Sequence, residues 1–260
     1  AANDASASLS KRANMDDWFG RLSWQQSSLP IADNAESDAD SKSESTVSNT
    51  WLIFADEVGV SQAFIESLDD SAKIITVVQG ESFSQHSDDS FTLAANDLSQ
   101  FTSLFKTLES LNKTPQQIVY FWPTTSAADI NASSDSRLQS YDQDMQCYFW
   151  GLFNLSKALC EFEESVRFTV VSSDMQSIGS TCCPEKATLL GAVAVLPHEL
   201  PHINTQSSDI ATQALAPNGI EKNAVGKIAK QIAQEILSAN DDRVVAYRGA
   251  DRWVRNIVSA

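Results

Sequence analysis

Hydrophobic residues are spread unevenly along this chain. Residues 1–14 are small and polar, which predicts a disordered tail or interdomain linker. Within residues 15–24, Trp18, Phe19, Leu22 and Trp24 crowd together, and nothing else before residue 50 resembles core. This run predicts a short strand packed on the domain beyond it. Residues 25–50 are rich in Ser, Asp and Glu and read as an acidic linker or long loop. From residue 51 to 260 the pattern becomes regular. Apolar, β-branched runs predict strands at 51–56, 73–78, 117–122 and 166–173, with further strands at 202–209, 243–249 and 252–258.

Helical spacing separates these runs. Val60 to Leu68 fits a short helix. Asp97 can cap a helix carrying Leu98, Phe101, Leu104, Phe105, Leu108 and Leu111 on one face. Residues 142–160 predict a longer helix with Met145, Phe149, Leu152, Phe153 and Leu159 on its inner side. Pro184 suits the first turn of a helix through 186–196, and 221–237 carries Val225, Ile228, Ile232 and Ile236 as a stripe. The segment between 79 and 96 reads as a polar loop. Strand and helix alternate, and the strands are apolar on both faces. The expected class is α/β, a Rossmann-like doubly wound parallel sheet with helices on both faces.

Composition narrows the function classes. The 260 residues hold 18 Lys and Arg against 34 Asp and Glu, a formal charge of −16. Nucleic acid and anionic membrane surfaces are polyanions and would repel such a chain, so neither is expected as a partner. No apolar run approaches the roughly 20 residues that span a bilayer. The polar first residues offer no secretory signal, and four cysteines are too few for a disulfide scaffold of this size. A reducing cytoplasm is the expected location.

Several motifs could carry chemistry on such a fold. A dinucleotide site needs glycines between the first strand and helix, so that backbone amides can approach a pyrophosphate. Here that turn is Ala55-Asp56-Glu57-Val58-Gly59-Val60-Ser61, where only Gly59 remains and two carboxylates stand where phosphate would sit. Gly59 is expected merely to make a tight turn. A Tyr-x-x-x-Lys pair, in which Lys lowers the phenol pKa, is missing: none of Tyr120, Tyr141, Tyr148 and Tyr247 has Lys four positions later. His198-Glu-Leu-Pro-His202 matches the H-E-x-x-H zinc pattern, but Pro201 lies inside it, at a helical cost of roughly 3 kcal/mol. It is expected to be a turn between a helix and a strand.

Cys182-Cys183 lacks the spacing of a redox or metal loop, and Cys147 and Cys160 read as core. Nucleophile elbows and phosphate-binding Walker loops are absent from the sequence. Arg248, Arg252 and Arg255 interleave with Tyr247 and Trp253. They read either as a partner contact or as a solvated face stacked on aromatics. No catalytic, cofactor-binding or metal-ligating residue is assigned.

Several landmarks together resemble a family. Pro184-Glu-Lys-Ala-Thr-Leu-Leu-Gly191, continuing through Val195-Leu-Pro-His-Glu-Leu-Pro-His202, resembles a stretch in the structural half of the ketoreductase region of modular type I polyketide synthases. Asp17–Trp24 resembles the family's opening strand, and Trp51–Asp56 its first Rossmann strand. Val244–Gly249 with Arg252–Val254 resembles its closing strands. The resemblance covers residues 15 to 258, and His198 departs from it where Gln is commoner.

The resemblance implies a truncated fold related to short-chain dehydrogenases, without a cofactor of its own. It would support a second, catalytic half that binds NADPH and reduces a β-keto to a β-hydroxy acyl thioester. The parent would be a homodimeric multienzyme with transferase and oxidoreductase activities. Its neighbouring domains would be a dehydratase, an enoylreductase and an acyl carrier protein bearing phosphopantetheine. The segment alone would not be an enzyme. The alternative is an architectural or dimer-organising pseudo-ketoreductase with no associated reduction.

Overall fold

The computed structural model describes residues 19–28, 50–126, 134–179, 182–211, 224–238 and 240–259. The expected tail at 1–14 and most of the linker at 25–50 lie outside the described residues, as do 15–18 and 221–223. Ten strands form one sheet: β1 (Gly20–Gln26), β2 (Thr50–Phe54), β3 (Lys73–Gln79), β4 (Ser84–Ser87), β5 (Ser90–Leu93), β6 (Gln117–Tyr120), β7 (Val166–Ser173), β8 (Ile203–Ile210), β9 (Val244–Arg248) and β10 (Asp251–Ser259). Their spatial order is β1-β10-β9-β8-β7-β6-β2-β3-β5-β4. The seven strands from β9 to β5 run parallel, and β1, β10 and β4 are antiparallel additions at the two edges. This is the α/β doubly wound class that the alternation predicts. All five residues of β2 are buried because helices cover both faces of a parallel sheet.

The helices are α1 (Val60–Glu66), α2 (Leu98–Ser110), α3 (Ser134–Met145), α4 (Gly151–Ala158), α5 (Thr188–Glu199) and α6 (Ala224–Leu237). Helices α1 and α6 pack together on one face over Trp51, Ile53, Phe121 and Val171. Helices α2, α4 and α5 cover the other, over Leu52, Phe54, Tyr120 and Phe168. Asp97 caps α2 as its sequence predicts, accepting from the Ser99 amide at 2.9 Å.

Three expectations need correction. The polar loop at 79–96 contains β4 and β5, so a strand occupies the crossover where the doubly wound pattern places a helix. With no helix there, Val78 is left 45% exposed on that face. The 142–160 helix starts at Ser134 and is interrupted by a π turn over Gln146–Trp150. The wider turn shifts the phase of the next helical residues. Phe153, expected inward, is therefore exposed, while Leu152, Leu155 and Leu159 face the core. Finally, the apolar run near residue 20 does form a strand, β1, paired with β10 at the sheet edge, but Phe19 and Leu22 are more than half exposed and not core, Trp24 is half-buried, and Trp18 lies outside the described residues.

Candidate functional site: the crevice at the switch point

Strand β2 lies between β3 and β6, so the chain reverses its winding direction there, and ligands of doubly wound sheets bind in the crevice at such a point. The crevice exists here, with a volume of about 470 Å³. Its walls include Asp56, Glu57, Glu81, Trp122, Thr125, Asp144, Cys147 and Tyr148. At its floor the Asp56 carboxylate turns back onto the start of α1. Oδ2 accepts from the Val58 amide at 2.9 Å and the Val60 amide at 3.1 Å, and Oδ1 accepts from the Ser61 amide at 2.7 Å. The Ser61 hydroxyl in turn accepts from the Asp56 amide at 3.1 Å.

These are the donors with which a helix N-terminus would hold an anion. A covalently tethered carboxylate already holds them, and Glu57, Glu81 and Asp144 add negative charge around it. The residues present do not fit the pyrophosphate of a dinucleotide. Gly59 has φ +94°, and no atom of this chain lies within 4 Å of where a Cβ would stand, so the turn's conformation, and not contact with another part of the chain, calls for glycine.

At the other wall sits a group that no local motif announces. Lys186, 2% exposed, donates from Nζ to Thr125 Oγ1 at 2.7 Å, Ser173 Oγ at 2.8 Å and the Ser173 carbonyl at 2.9 Å. Nζ also lies 5.4 Å from the ring centroid of Tyr148. All three ammonium donors thus have an oxygen acceptor, and burial lowers the Lys186 pKa below the ordinary lysine value. A lysine, a serine and a tyrosine meet here from the turn before α5, from β7 and from the π turn, but the ammonium faces the tyrosine ring. The group ties the ends of β6 and β7 to the segment 183–187. Only the tertiary fold could reveal it, because the partners lie 13 and 61 residues away.

A family model described as beta-ketoacyl synthase-like, N-terminal, matches residues 49–227, more than half of the chain. The chain belongs to this family. Its fold is similar to the adenylation, ketoreductase and pseudo-Asub multidomain structure of a keto acid-selecting nonribosomal peptide synthetase module. That likeness has TM-score 0.77 and 23% identity, over 93% of this chain and 18% of that one. It is also similar to an N-terminal ketoreductase from the macrolactin assembly line (TM-score 0.67, 13% identity, 93% and 44%). A short-chain dehydrogenase/reductase from Serratia marcescens shares the fold more distantly (TM-score 0.54, 12% identity, 78% and 96%). The chain thus spans less than half the length of the two ketoreductase-containing chains. No curated protein matches the sequence. The Rossmann-like, doubly wound fold that the family resemblance implies is the one observed.

In this beta-ketoacyl synthase-like chain the other candidates take structural places. Helix α5 ends at Glu199 with Pro197 inside it, so His198 and His202 do not share a helical face. Among the described residues no group of three or more His, Cys, Asp or Glu could hold a metal. Cys183 is buried, but Cys160 is exposed, contrary to its reading as core. Cys147 is half-buried against Gln79, and burial raises its thiol pKa, which disfavours the nucleophilic thiolate. Tyr120 is buried and donates to the Cys147 carbonyl at 2.5 Å. No helix of the described residues is long and apolar enough to cross a membrane.

Two of the three C-terminal arginines are neither a solvated face nor an open contact. Arg248 donates to Asp209 Oδ2 at 2.7 Å. Asp209 is fully buried and also accepts from Ser172 Oγ and from the amides of Met175 and Gln176. Arg252, 4% exposed, donates to both oxygens of fully buried Glu235, at 2.7 and 2.8 Å, and to Asp242 at 2.7 Å. Arg248 on β9 and Arg252 on β10 reach carboxylates on β8 and α6, so their burial depends on partners that no strand pattern names.

Proposed function

We propose that this chain is the non-catalytic, structural half of a polyketide-synthase ketoreductase. It binds no NADPH and supports a separate catalytic half that reduces a β-keto acyl thioester. The observation that carries this reading is the Asp56 carboxylate on the amides of Val58, Val60 and Ser61, where the fold would otherwise present donors to a phosphate. Membership of a beta-ketoacyl synthase-like family and the likeness to ketoreductase folds support it from the side of sequence and of shape. The parent's partners are then the catalytic half and neighbouring synthase domains, including the carrier protein with its phosphopantetheine. The setting is cytoplasmic.

The test is NADPH titration of this chain, of the catalytic half, and of their mixture, together with reduction of a β-keto thioester. Reduction only in the mixture, with NADPH bound only by the catalytic half, is the expected result. Saturable micromolar NADPH binding by this chain alone overturns it. A mixture that associates without reducing identifies an architectural pseudo-ketoreductase instead.

A further inference from the structure

The crevice at the switch point is lined by four carboxylates, on Asp56, Glu57, Glu81 and Asp144, and by no Lys, Arg or His. Asp56 is committed to the amides of Val58, Val60 and Ser61. Glu57 and Glu81 are exposed and have no ion pair among the described residues. A cleft lined by one sign of charge focuses its field and concentrates counter-ions. Where a dinucleotide fold receives phosphate, this chain therefore attracts a cation.

The surroundings fit an organic cation better than a metal ion. Among the described residues no group of three or more His, Cys, Asp or Glu could hold a metal, so the carboxylates do not converge on one point. The volume of about 470 Å³ lies in the range of small-molecule pockets, and part of the wall is apolar. Val58 and Val78 contribute to it, and Val78 is 45% exposed because β4 and β5, and no helix, follow β3.

Trp122 stands in the same wall and adds a second requirement. It is 6% exposed, and its indole packs against Phe54 and Tyr120 with ring centroids 5.3 and 5.2 Å away. Its Nε1–H is buried and has no acceptor among the described residues. A buried donor left unmade destabilises a fold, and a ligand oxygen beside it would remove that cost. An ammonium or guanidinium holds donors only, so the cation itself cannot serve. A carboxylate oxygen would be repelled by the four already present, which leaves a neutral oxygen.

We propose that this crevice binds a small organic cation, an amine or guanidine on a short apolar body that also carries a neutral oxygen acceptor. The cation is held by Glu57 and Glu81, the body lies along Val58 and Val78, and the oxygen accepts from Trp122 Nε1. This site goes beyond the supporting role proposed above and needs no catalytic half, so either can fail without the other.

The test is isothermal titration calorimetry of this chain at low ionic strength with N-acetylputrescine, which joins an ammonium to an amide carbonyl through an alkyl chain. Butylamine lacks the acceptor, and butyrate carries the opposite charge. Glu57→Gln with Glu81→Gln removes charge from the crevice. Asp69→Asn with Asp70→Asn removes the same charge from exposed positions outside it. Trp122→Phe keeps a ring and removes Nε1–H, and circular dichroism melts report folding of every variant. The expected result is saturable one-to-one binding of N-acetylputrescine, about tenfold weaker in the glutamate variant and unchanged in the aspartate variant. Trp122→Phe should weaken it about fivefold and leave the weaker binding of butylamine unchanged. No saturable binding by the parent chain overturns the site. Equal losses in the two charge variants reduce the binding to non-specific attraction and overturn it too. Butyrate binding as tightly as N-acetylputrescine, or magnesium chloride displacing it at equal concentration, overturns the class of ligand. A Trp122→Phe variant that folds and affects both amines alike overturns the acceptor.

Discussion

Replacing Glu235 with Ala would break a buried charge network at a single side chain. Glu235 lies on α6 and is fully buried. It accepts from Arg252 twice, from the Tyr247 hydroxyl at 2.6 Å, and from Gln206 and Asn240 at 3.0 Å each. One carboxylate thus ties α6 to β8, β9 and β10. Truncation leaves the Arg252 guanidinium buried, with Asp242 as its remaining carboxylate partner. Breaking a buried pair by removing one partner costs about 3–5 kcal/mol, because a charge is left without compensation.

At about 2–4 °C per kcal/mol for a domain of this size, Glu235→Ala should lower the melting temperature by roughly 6–20 °C. The assay is thermal and urea unfolding followed by circular dichroism. The informative companion is the double variant Glu235→Met with Arg252→Met. It removes both charges and keeps the volume, and its cost should fall well below that of Glu235→Ala. A loss under about 1 kcal/mol for Glu235→Ala would mean that water reaches Arg252 and would refute the argument from burial.

Two further outcomes follow from buried charges. Burial pushes the Glu235 carboxyl up, but hydrogen bonds from Arg252 and Tyr247 outweigh it and hold it below its usual 4.5. The pair's stability should therefore be complete above pH 4.5 and fade as the pH falls through the lower folded value, and a Glu235→Gln variant should lack that acid-side slope in urea titrations. Lys186→Met keeps the stem and removes the ammonium, so it should cost about 1–3 kcal/mol by leaving the Thr125 and Ser173 oxygens short of a donor. Lys186→Ala should cost more, because it also empties the stem's volume; equal losses for the two would show that the stem's volume contributes nothing, and a Lys186→Met variant as stable as the parent would refute the role given to the ammonium.

How much of the molecule is legible in the sequence depends on the range of the forces involved. The α/β alternation, the run of β2, the Asp97 cap of α2 and the two carboxylates in the first turn are all local. Periodicity, capping and charge act over a few residues, and these readings agree with the structure. Asp56 is readable as a negative charge at the phosphate position. That it grips the three amides itself is not, since this depends on the turn that Gly59 makes. The π turn at 146–150 escapes because periodic reading assumes a constant 3.6 residues per turn, which places Phe153 in the core. Strand β4 escapes because the four polar residues Ser84–Ser87 at the sheet edge carry almost no periodic signal, and β5 because the alternation of Phe91 and Leu93 with Ser90 and Thr92 is only four residues long.

The sequence by itself determined the class of fold, the succession of most elements and the acidic turn with a single glycine after the first Rossmann strand, because each is written in neighbouring residues. Tertiary structure decided the rest. It sent Arg252 to Glu235 and Arg248 to Asp209, buried Lys186 against Ser173 and Thr125, and left Val195 of α5 half exposed. Each of these depends on desolvation, which is a property of the surroundings a side chain meets after the sheet has closed. No pattern along the chain records whether the neighbour that removes the water lies a few residues away or on the far side of the sequence.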